Sequence, residues 1–201
     1  MIEKPLIYVK RFLLGAGIML LYCLSLGTAE AQEAKSYDVE QALKVIRMLK
    51  KIQAESVRSP SANRSRKVEV TEKQLNDYIA YRIETEKEEV MRELRMKIFP
   101  HGKIEGRILI DLKGKQLPGI FNPEMELYFG GRLETKDQAV RLQLDSLFLG
   151  EQAIQPELLD LIITIAAELQ DAEAVTMNDW WALPFGIQDI ETGRERLLLF
   201  Y

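Results

Sequence analysis

One cysteine and one histidine are all the chain holds in 201 residues. The cysteine, Cys23, lies in an N-terminal apolar run, so nothing beyond residue 31 carries a thiol. A disulfide scaffold, thiolate catalysis and a cysteine-ligated metal are thereby excluded from the body of the protein. The histidine, His101, stands in "PHGK" at a turn tip, with no second ligand or base beside it in sequence, and reads as a turn residue. No G-x-S-x-G, H-E-x-x-H or phosphate-loop spacing occurs. The carboxylates alternate outward on strand patterns or sit on polar helix faces. Even Glu124 and Glu126, which share a strand face, have nothing in sequence to bury them, and solvated carboxylates do no acid–base work at neutral pH. The sequence predicts a non-enzymatic protein with no catalytic residue, no metal ligand set and no cofactor.

Charge is present in quantity but unevenly placed: 27 Lys and Arg stand against 31 Asp and Glu, for a net charge of −4. Lys44, Arg47, Lys50, Lys51, Arg58, Arg64, Arg66 and Lys67 face a single acid, Glu55, while residues 151–195 carry acids almost exclusively. An acidic total with one basic end argues against nucleic acid as a partner. The basic end suits an anionic membrane surface or a protein partner, with Lys44, Arg47, Lys50 and Lys51 as the contact residues. It also fits a simple solvated face.

The N-terminus reads as a targeting segment. Lys4, Lys10 and Arg11 precede the uncharged "FLLGAGIMLLYCLSLG", and Ala29 and Ala31 have the small-residue spacing of a signal-peptidase site. The expectation is a signal peptide over 1–31, cleaved after Ala31, with a periplasmic or extracellular body; the alternative is an inner-membrane anchor over 12–28. The absence of later cysteines fits a bacterial periplasmic or surface protein. A basic amphipathic helix and linker over 32–66 then precede one α+β domain over 67–201.

Within the helix, Asp38 and Gln41 make a start signal, and Val39, Ala42, Leu43, Ile46, Leu49 and Ile52 form an apolar stripe to about residue 55. "SVRSPSANRSR" reads as a loop. Thr71 and Gln74 form a capping box, with Val70 and Leu75 as a hydrophobic staple, opening a helix to about Glu88. Alternating apolar residues then predict four strands between Val90 and Leu149, an antiparallel meander with one dry face. Phe148 counts among the inward positions of the last strand. The apolar stretch 156–169 predicts a helix buried on that face, and "IQDIETGRERLLLFY" a closing hairpin, turning at Thr192-Gly193, that extends the sheet.

"VTEKQLNDYIAYRI", followed by amphipathic strands and an "HGKIEG" turn, resembles bacterial extracytoplasmic TULIP-like lipid-binding-type domains. The match runs through Thr71, Glu72, Leu75 and Asn76 and the order helix–strands–helix to about Ala167. The resemblance implies a sheet curled around a helix, leaving an apolar groove for an acyl chain. Leu94, Met96, Ile108, Ile110, Leu127, Phe129, Leu142 and Leu144 would form its wall, with Tyr78, Trp180, Trp181 and Phe185 at the entrance. Cystatin-like folds also wrap a meander around a helix. Two functions stay open: binding of a lipid or other apolar ligand, or a structural or protein-interaction module with a filled core that docks through its basic N-terminal helix.

Overall fold

The computed structural model describes residues 37–58, 66–87, 90–111, 113, 124–155, 157–158, 160–161, 164, 179–184 and 186–201. The fold is α+β: two helices and a curled antiparallel sheet, with a second, smaller sheet.

Helix α1 spans Val39–Arg58 and α2 spans Glu72–Thr85. The α2 start makes the full capping box: Thr71 Oγ1 accepts from the Gln74 N–H at 3.2 Å, and Gln74 Oε1 accepts from the Thr71 N–H at 3.1 Å. At α1 only half the box forms. Asp38 Oδ1 accepts from the Glu40 and Gln41 N–H groups, but Gln41 Oε1 turns away and accepts from Gln74 Nε2 at 3.2 Å. The Asp38 N–H instead donates to Asp77 Oδ1 on α2 at 3.1 Å. Asp77 is buried, and its other oxygen takes Lys73 Nζ at 2.6 Å. A buried carboxylate must be paired; here the pairing locks the start of α1 onto α2.

Strands β2 (Met91–Ile98), β3 (Lys103–Asp111), β4 (Glu124–Lys136) and β5 (Ala139–Leu149) lie side by side in chain order, all antiparallel. Two short strands enlarge this sheet to six: β6 (Gln152–Ala153) and β7 (Trp181–Ala182) both pair with β5. His101 and Gly102 both have positive φ in the four-residue β2–β3 connection, as do Asp137 and Gln138, the two residues between β4 and β5. Two left-handed residues in succession match the turn to the strand twist. Gly106 lies across from Phe129, whose ring covers it so closely that a β-carbon there would collide with the ring.

Two expectations need correction, and a third falls mostly outside the described residues. The final hairpin does not extend the meander. Its strands β8 (Asp189–Gly193) and β9 (Arg196–Phe200) pair with β1 (Lys67–Thr71) in a separate sheet of order β1-β9-β8, and the turn falls at Arg194-Glu195. "KVEVT" alternates like a strand, and β9 is the central strand, with Leu197 and Leu199 buried and Leu198 half-buried between them. Second, Phe148 faces outward and is exposed, while Leu147 is buried. A bulge opposite Gly130-Gly131 inserts Asp145, and one extra residue flips every later side chain of β5. Third, the helix expected over 156–169 lies mostly outside the described residues; Glu157, Leu158, Asp160, Leu161 and Thr164 are helical, and Leu158 packs on the core while Leu161 is exposed.

The dry face of the sheet is covered by α1 and α2. Val45, Leu49 and Ile52 of α1 and Leu75, Tyr78, Ile79 and Ile83 of α2 form one buried cluster with the strand residues.

Candidate functional site

The eight wall positions converge on that cluster. Leu94, Met96, Ile108, Ile110, Leu127, Phe129 and Leu142 are buried, Leu127 and Leu142 completely, and Leu144 packs against them half-buried. Side chains from both helices belong to the same buried cluster. Tyr78 and Trp181 are core residues, Trp180 is exposed beneath the Arg141 guanidinium at 4.7 Å from its ring centre, and Phe185 lies outside the described residues.

The basic positions do share a surface. At 100° per residue, Lys44, Arg47, Lys50 and Lys51 fall on the side of α1 opposite Ala42, Val45, Leu49 and Ile52, and all four are exposed. Lys44 meets Glu40 at 3.4 Å and Lys51 meets Glu55 at 3.9 Å. Arg47 bonds only the Leu43 carbonyl among the described residues, and Lys50 has no carboxylate within reach there. Leu43 sits among these cations and is 38% exposed, with Val57 one end of the helix away at 77%.

A further opening lies elsewhere. A groove of about 530 Å³ lies between α2 and the outer edge of β2, with Tyr37, Ala80, Ile83, Lys87, Arg92 and Leu94 among its lining. Its lining is mixed polar and apolar, and the tryptophan segment does not border it. Asn76, quoted in the sequence only as part of a helix start, bridges the two elements: its Nδ2 donates to the Met96 carbonyl and its Oδ1 accepts from the Met96 N–H, both at 2.8 Å. An asparagine in a helix interior is a poor helix former. That was the available signal that its side chain works outside the helix.

Electrostatically the sheet's wet face is an ion-pair lattice. Arg107 on β3 lies between Glu93 of β2, at 2.9 Å, and Glu126 of β4. The Arg107 hydrogen bond, with a second from Tyr128, holds Glu126 below the usual carboxylate range. Asp111 is lowered too, first by the Lys113 backbone N–H. Burial pulls the Arg82 guanidinium down to about 10, and it pairs with Glu86 one turn on. Burial likewise pushes the Tyr78 phenol up. Among the described residues no group of three or more His, Cys, Asp or Glu could hold a metal ion. Among them, too, no helix is long and apolar enough to cross a membrane.

No family model, no curated protein and no solved structure matches the chain.

Proposed function

We propose that the protein is a non-enzymatic extracytoplasmic interaction module with a filled core, which docks on anionic lipid head groups through the outer face of α1. One observation carries this reading: Lys44, Arg47, Lys50 and Lys51 share an exposed helix face while the opposite face is anchored in the core. Each basic residue held near an anionic surface contributes about 1 kcal/mol. The exposed Leu43 adds an apolar contact at the same level, the combination that interfacial helices use. If residues 12–28 are retained as an anchor, the ten residues 29–38 span at most about 36 Å, which keeps α1 within reach of the bilayer.

The lipid-groove reading draws on the TULIP-like resemblance. It has less support from the geometry, because an acyl chain on the Leu127 wall must displace packed side chains. The shifted carboxylates move downward and stay ionised at neutral pH, which favours a binding role over general acid catalysis.

Co-sedimentation with vesicles tests the proposal. The protein should partition onto phosphatidylglycerol–phosphatidylcholine vesicles and leave phosphatidylcholine vesicles free. Arg47→Glu with Lys50→Glu should cut the partition coefficient at least about tenfold. Equal binding to both vesicle types, or no effect of the double reversal, contradicts it.

A further inference from the structure

Helix α2 runs beside the outer edge of β2, close at its start and open further on. At the close end the edge is sealed by side chains. Glu72 Oε2 accepts from the Ile98 N–H at 2.8 Å, and the Asn76 carboxamide takes both the N–H and the carbonyl of Met96. An amide that donates and accepts on one residue does what a neighbouring strand's peptide unit would do.

Two residues back along β2, about 7 Å away, Leu94 has the same backbone orientation. Met96 faces Gly106 and Leu94 faces Ile108, both positions of the β2–β3 ladder whose N–H and carbonyl point away from β3. The Leu94 pair therefore points toward the groove, and no described group meets it. Leu94 is only 2% exposed, and unpaired buried backbone groups are rare in folded chains. Beyond Leu94 the ladder slips between Met91 and Glu93, which ends the regular edge. Ala80 and Ile83 form the opposite wall, Ala80 small enough to leave side-chain room, and Lys87 stands at the wide end with no ion pair among the described residues.

We infer that this groove receives a short extended stretch of another polypeptide, added to β2 at Leu94, with a carboxylate side chain against Lys87. A donor and an acceptor unmet among the described residues call for a peptide unit, since the carboxamide of Asn76 already fills the equivalent place at Met96. The charge favours an acidic segment. Lys87 is the lining cation with no ion pair among the described residues, since Arg92 meets Asp111 at 3.3 Å and Arg95 meets Glu93 at 2.5 Å. The lining acids Asp77, Glu84 and Glu93 already accept from Lys73, the Tyr37 hydroxyl and Arg95. This site is separate from the basic face of α1.

The test is a titration of the ¹⁵N-labelled full-length chain with two blocked heptapeptides, one alternating valine with glutamate and one alternating valine with lysine. The glutamate peptide should shift the Ala80, Lys87 and Leu94 amides and slow hydrogen exchange at Leu94, with the lysine peptide at least about tenfold weaker. Lys87→Glu should reverse that order. Ala80→Trp, which fills the groove from the helix side, should abolish the shifts while the remaining spectrum stays dispersed. Shifts that are absent, that lie outside the groove, or that survive Ala80→Trp overturn the inference. A Leu94 amide already protected in the free chain and indifferent to peptide also overturns it, because the chain's own segment or bound water then holds the place.

Discussion

Asn76 shows how one side chain limits the sheet. Its carboxamide closes the β2 edge at Met96, a residue that is 4% exposed. Asn76→Ala should therefore cost about 2 kcal/mol, the penalty for buried backbone groups left unpaired, measured by chemical denaturation. Asn76→Asp keeps the acceptor and loses the donor, and should fall between the two. Gln138 is the opposite case. Its φ of +59° holds a non-glycine residue in the left-handed region of an exposed turn. Gln138→Gly should raise stability by about 0.5 to 1 kcal/mol, seen as a rise of about 2 °C in Tm. A fall in Tm would mean that the side chain holds the turn.

At the scale of elements, the parts written in local pattern were legible and the parts set by pairing were not. The Thr71–Gln74 box, the stripe of α1 and the alternations of β2 to β5 depend on neighbours in sequence and appear in the fold, except that Leu43 of the stripe is exposed and Val45, outside it, is buried. The bulge at Asp145 depends on how β5 meets Gly130 and Gly131, so the inward assignment of Phe148 failed. The partnership of β1 with β9 joins segments more than a hundred residues apart, which no local period reveals. The α1 face was visible as spacing, whereas the groove beside β2 needed Asn76 and Leu94 to be placed on their elements first. The Arg107–Glu126 pair is likewise a product of strand register. Arg107 holds the folded-state pKa of Glu126 below its ordinary value of 4.5, so the pair's stabilisation is present above that pH. It is lost as pH falls through the lowered folded value. Glu126→Gln should thus lower Tm at neutral pH, and the difference from the unsubstituted protein should shrink as pH falls below 4.5 and vanish once pH is below the lowered folded value. A difference that is independent of pH would assign the effect to packing.

At the scale of the whole molecule, the account separates a dry interior from a working surface. Leu127 has no exposure and sits where β3, β4 and β5 meet the helices, so Leu127→Trp should overfill the core and destabilise the fold by about 1 to 3 kcal/mol. Native mass spectrometry of that variant and its parent should show neither carrying a lipid inside. The central claim, that recognition takes place on α1 and not within the sheet, is tested most directly by hydrogen exchange of the full-length protein with and without phosphatidylglycerol vesicles. The account predicts slower exchange in α1 and no change in β3, β4 or β5. Altered exchange in those three strands with α1 unaffected would place the lipid on the apolar wall and contradict it.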